Sequence, residues 1–119
     1  KDELLIITKS LKDVMAIYEN TGIPSIGIQC ETYVIKESVL NEYRTRFNNR
    51  IVVFFDNDAA GIQATKIYKT LFNVEAINTP MGFYSVKDFS DFVKSEGTVR
   101  ANNFMYHNIA QVFPKWTPF

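Results

Sequence analysis

The stretch Arg50–Gly61 reads RIVVFFDNDAAG and passes from an apolar run through two acids into a helical pattern. Five apolar residues, Ile51 to Phe55, are β-branched or aromatic, and they run without a polar interruption. Such a run suits a strand buried on both faces of a parallel sheet. It ends in two carboxylates, Asp56 and Asp58, one residue apart. Gly61 then opens a helical pattern in which Ile62, Thr65, Tyr68, Leu71 and Phe72 share a face. A buried strand that delivers acids to its carboxyl end, followed by a helix, is an arrangement that can hold a divalent cation at the rim of a parallel sheet.

Working outward, the same alternation recurs. Leu4–Thr8 (LLIIT) is a short apolar strand, and Ser10 is placed to cap a helix carrying Leu11, Val14, Met15, Ile17 and Tyr18. Thr21-Gly22 ends that helix, with Gly22 suited to a left-handed position. Pro24–Gln29 predicts a second strand, Lys36–Phe47 a second helix, and Val74–Asn78 a weaker fourth strand. Ser90–Glu96 predicts a short helix stopped by Gly97, and Phe104, Ile109, Val112 and Phe113 give the tail roughly helical spacing. Strands alternating with helices predict an α/β domain. We expect a central, mostly parallel sheet of about four strands. The expected division is residues 1–97 as this domain and 98–119 as a helical tail or a linker to a further domain, the chain being a fragment of a longer protein.

Composition narrows the functional classes. The chain has 119 residues, 46% hydrophobic and 22% charged, and a formal net charge of zero, which argues against a surface that is basic throughout. One cysteine, Cys30, permits neither an internal disulfide nor a cysteine-based zinc site, and a reducing, cytoplasmic setting fits. No apolar run is long enough to span a membrane, so no membrane partner is expected. His107 has no metal-ligand partner at useful spacing.

Ligands of such folds bind beyond the carboxyl ends of the strands. Thr8, Lys9 and Ser10, then Gln29 and Glu31, then Asp56 and Asp58, and then Asp88 and Asp91 fall there, with Asp13 one turn into the first helix. Right-handed crossovers allow strand one to lie beside strand three, which would bring Lys9 and Asp13 close to Asp56 and Asp58. Each feature also has a plain reading. Asp-Asn-Asp is common where a strand passes into a helix, because Asp and Asn cap helices and form turns. Asp88 and Asp91 can cap the next helix, with Lys87 as a surface charge. Asp13 alone is a charged residue on a solvent-facing helix, and Lys9 alone a solvated cation.

The set LLIITKSLKDVMAI, IVVFFDNDAAGIQA and VKDFSDFV resembles the Toprim domain of bacterial and phage-type DNA primases, over roughly Leu4 to Gly97. DNDAAGIQAT is the strongest part, since Ala-Gly after the acids separates it from a generic Asp-x-Asp. The resemblance implies an α/β domain with the strand order 2-1-3-4 and helices on both faces, metal ligation by Asp56, Asp58 and Asp88, with Mg²⁺ or Mn²⁺ as cofactor, and catalytic roles for Lys9, Asp13, Asp56 and Asp58. Ser90 falls where many primases have a second acid. Lys87 is expected to contact phosphate. The implied partners are nucleoside triphosphates, a single-stranded DNA template and a replicative helicase; the implied activity is RNA primer synthesis in a phage or mobile-element replication system, with the isolated domain inactive or nearly so.

One position departs from the family pattern. Lys9 stands where the family has a glutamate, and Ser10 where it has glycine. A lysine at neutral pH is a cation, expected to pair with Asp56 or Asp58, partly replacing a metal's charge, or to contact phosphate. Three readings follow: a divergent but working site, with Glu31 supplying a carboxylate; a metal-degenerate interaction module of a replication protein; or a shifted alignment in which Glu3 takes the glutamate's place. A Toprim-type metal-dependent nuclease is the alternative enzyme.

Overall fold

The computed structural model describes residues 3–29, 34–56, 58–77 and 88–116. Cys30, Glu31 and Lys87 lie outside these residues. Four strands form one sheet: β1 (Leu5–Thr8), β2 (Ser25–Gly27), β3 (Ile51–Val53) and β4 (Glu75–Ala76). Their order is β2-β1-β3-β4, and every pairing is parallel. The expected order and strand direction are therefore those observed. The central pairing sets Leu5 opposite Ile51, Ile6 opposite Val52 and Ile7 opposite Val53. Phe54 continues it by donating its N–H to the carbonyl of Ile7 at 2.8 Å.

Alternation along these strands makes two cores, one on each face. Leu4, Ile6, Val52 and Phe54 face α1 (Leu11–Thr21), α4 (Phe89–Glu96) and α5 (Thr98–Val112). Leu5, Ile7, Ile51, Val53 and Phe55 face α2 (Glu37–Arg46) and α3 (Ala59–Phe72). In the second core the Tyr68 hydroxyl accepts the Ile35 N–H at 3.0 Å, which satisfies that backbone donor. The tail supplies Ala101, Met105 and Ile109 to the first core, all fully buried, so α5 packs with the sheet helices as one unit.

The helix boundaries follow local chemistry. Ser10 caps α1, and Gly22, at φ 74°, closes it with its N–H on the Tyr18 carbonyl. Asn73, at φ 54°, closes α3 in the same way. The start of α3 differs from the expectation. The helix begins at Ala59, because Asp58 serves as its N-cap and accepts the Gly61 N–H at 2.8 Å.

Gly61 has a different job from opening the helix. A Cβ there would lie 2.0 Å from the Asp56 carbonyl oxygen and 2.8 Å from its carbon. The first turn of α3 thus rests directly on the backbone of Asp56, and only glycine permits that approach. Alanine would favour the helix by about 1 kcal/mol, but the backbone clash outweighs this. Gly61→Ala is expected to destabilise the domain by about 3 kcal/mol, read as a fall in the midpoint of chemical unfolding; an unchanged midpoint would show that the junction has slack.

Candidate metal centre

Continuing the alternation of Val52 and Phe54 places Asp56 on the face of the sheet covered by α1 and α4. The amino-terminal ends of those two helices arrive at the same rim. Asp13 sits in the first turn of α1, and Asp88 is the N-cap of α4, accepting the Asp91 N–H at 2.9 Å. The result is a cluster of three acids, Asp13, Asp56 and Asp88, each offering an oxygen within 4.8 Å of the others. All three are buried, at 2%, 6% and 7% exposure. They come from three separate segments, and the sheet order is what unites them.

Asp58 is engaged differently. One of its oxygens is committed to the N-terminus of α3, on the opposite side of the sheet. It lies outside the three-acid cluster, although its charge still bears on Asp56. The capping role open to an Asp-Asn-Asp junction is thus filled by Asp58, while Asp56 faces the acids. Asp88 does both, capping α4 and joining the cluster. Asp13, which alone would read as a solvent-facing helix residue, is buried.

Among the described residues, two ammonium groups meet the cluster. Lys9 Nζ lies 3.3 Å from Asp56 Oδ2, so the cation in the glutamate's place pairs with Asp56. Lys9 is held there by its backbone: the Ile28 N–H bonds to the Thr8 carbonyl and the Gln29 N–H to the Lys9 carbonyl, tying the loop after β1 to the end of β2. Lys12 Nζ lies 3.2 Å from Asp88 Oδ2. Lys12 is a site residue that sequence reasoning missed. Its partner is 76 positions away, and an exposed lysine on a helix carries no signal of its own.

Among the described residues, Asp13 pairs with no such cation. Its Oδ2 accepts the Ser10 hydroxyl at 3.0 Å, while the Ser10 oxygen accepts the Asp13 N–H in turn. Its Oδ1 is buried without a hydrogen-bond partner. Burial first, and then the charge of Asp88, push the Asp13 carboxyl up to about 6. Asp56 is also raised, chiefly by burial, with Lys9 opposing and Asp88 and Asp58 adding to the shift. Lys12 is raised above the usual lysine value by its bond to Asp88. An unmet carboxylate oxygen among mutually repelling acids is what a hard, oxygen-seeking divalent cation would satisfy, so the donor set fits such an ion.

A family model described as Toprim-like matches residues 6–93, from β1 into α4. The chain belongs to the Toprim-like family. Among curated proteins, none matches it. Toprim domains generally bind a divalent metal ion, and in this one the buried triad of Asp13, Asp56 and Asp88 could hold it. No helix among the described residues is long and apolar enough to cross a membrane.

The raised Asp13 carboxyl makes a stability prediction for metal-free protein. A folded-state value of about 6 against an ordinary 3.8 means that the folded state binds the proton more tightly than the unfolded chain. The destabilisation is therefore absent below the ordinary value, grows as pH rises between the two, and is complete above the folded value. Asp13→Asn is expected to stabilise the protein in EDTA by on the order of 1–3 kcal/mol at pH 7, with the gain vanishing toward pH 4. Thermal melts of both proteins across that range test it; a gain that grows as pH falls would contradict it.

Proposed function

We propose that this Toprim domain is the metal- and nucleotide-binding part of a DNA primase. In this reading it holds Mg²⁺ or Mn²⁺ and the phosphates of an incoming nucleoside triphosphate during RNA primer synthesis on a single-stranded DNA template. The observation that carries the metal part is the buried triad with its unmet Asp13 Oδ1. What supports the primase part is the likeness of DNDAAGIQAT and its companion segments to primases of the bacterial and phage kind. A replicative helicase is the partner that such a primase would work beside.

The chain's own residues have separable roles. Asp56 and Asp88 supply anionic oxygens from the end of β3 and the start of α4, and Asp13 supplies a third from the first turn of α1. Bound there, the ion would neutralise charge on a transferring phosphoryl group. Asp58 and Gly61 fix the β3–α3 junction and so the position of Asp56. The amino-terminal ends of α1 and α4 at this rim favour negative charge, on the acids or on phosphate. Lys9 and Lys12 place two cations beside the acids, where phosphate oxygens would sit.

The same two lysines favour a second reading. Two of the three acids already have a cation, which is how a site that no longer takes metal would be neutralised. In that case the domain is an interaction module of a replication protein.

Titration with Mn²⁺ separates the two. The primase reading expects saturable binding at millimolar ion or below, lost or weakened at least tenfold in Asp56→Asn and Asp88→Asn. Absence of binding in the unaltered chain would remove the catalytic reading and leave the interaction module. Lys9→Glu restores the acid that the family pattern has at this position, and is expected to tighten Mn²⁺ binding by roughly tenfold through a fourth carboxylate. A flat or weakened response would show that position 9 does not face the ion.

A further inference from the structure

Lys9 lies in the short segment joining β1 to α1 and Lys12 in the first turn of α1, and each reaches a different acid of the triad. The two ends of each pair differ in burial. The side chains of Asp56 and Asp88 are 4% and 9% exposed, whereas those of Lys9 and Lys12 are 31% and 59% exposed. A lysine head on a flexible four-carbon stem can withdraw into water while its stem keeps its packing. The carboxylates cannot follow, because Asp56 is held under Gly61 and Asp88 is bonded to the first turn of α4.

Charge arithmetic points the same way. Among the described residues, the triad carries three negative charges when ionised, and the two lysines return two positive ones. A divalent ion entering among the same oxygens would stand beside two ammonium groups already bonded to its ligands, and like charges at that spacing repel strongly where water is scarce. Withdrawal of the ammonium heads removes that repulsion without unfolding anything.

We infer that Lys9 and Lys12 are built-in counterions that a divalent cation displaces, so that the site alternates between a lysine-closed and a metal-loaded form. The two displaced ammonium groups then stand at the mouth of the loaded site, where they can take up phosphate oxygens. Metal affinity is thereby set by the lysines as well as by the acids. By linkage, whatever holds the lysines away from the acids, a bound phosphate included, tightens the metal. This inference rests on the metal reading given above.

The test uses the 119-residue chain with Lys9→Met, Lys12→Met and the double variant, which keep the apolar stem and remove the charge. Mn²⁺ affinity and thermal midpoints are measured, the latter in EDTA and at saturating Mn²⁺. Each single variant is expected to bind Mn²⁺ roughly fivefold tighter or more, to melt lower than the unaltered chain in EDTA, and to close that gap when loaded. Lys12→Arg, which keeps the charge, should behave as the unaltered chain does. A lysine with a merely structural role would lower the midpoint equally in both conditions, and that result overturns the inference. So does Mn²⁺ affinity that is unchanged or weakened in the Met variants, while the metal reading survives. Absence of Mn²⁺ binding in the unaltered chain at millimolar ion sinks the metal reading itself. Where a variant fails to fold, side-chain NMR of the lysine ammonium groups during Mg²⁺ titration of the unaltered chain decides. Loss of their ion-paired signature supports exchange, and its persistence at saturation overturns it.

Discussion

Everything at the carboxyl rim depends on the parallel pairing of β1 with β3. These two strands lie at the centre of the sheet, and each buries side chains on both faces. Their register fixes how far each strand projects, and so fixes Lys9 and Asp13, which follow β1, against Asp56, which follows β3. Because Val52 and Phe54 face α1 and α4, alternation delivers Asp56 to the side where those helices begin. A slip of one residue would turn Asp56 toward α3 and dissolve the triad.

The cost of that convergence is electrostatic. Three acids with oxygens within 4.8 Å of one another, all buried, resist being ionised together. The domain offsets this with two lysines and with the amino-terminal ends of α1 and α4. The offset is incomplete at Asp13, whose Oδ1 has no partner and whose carboxyl is raised to about 6. A group left in that state by its surroundings marks where the site has capacity for a ligand.

Much of the architecture was readable in advance, for local reasons. LLIIT and IVVFF have no polar residue to place on a solvent face, so they demand burial on both sides. Ser10 and Gly22 bound α1 because a hydroxyl can cap an N-terminus and glycine tolerates a positive φ. The strands came out shorter than their apolar runs, since pairing stops before the chain stops being buried: β3 ends at Val53, although burial continues through Asp56. The sequence pattern alone starts α3 at Gly61, whereas the helix begins at Ala59 and Gly61 lets it touch the backbone of Asp56. That close approach is made across a junction, and spacing within the chain does not report it.

The α/β class was legible in the chain itself, because hydrophobic runs are local facts, while likeness to the Toprim pattern supplied the strand order and the candidacy of Asp13, Asp56, Asp58 and Asp88. It also marked Lys9 as a cation where the Toprim pattern has an acid. The tertiary structure alone decided how the acids divide. Asp56 joins Asp13 and Asp88, while Asp58, two residues on, serves the N-terminus of α3 on the other face. Only the fold could bring Lys12 to Asp88, 76 positions away. The physical reason is common to both: a side chain's partner is set by which face its strand or helix presents, and faces are assigned when the sheet and its covering helices pack together.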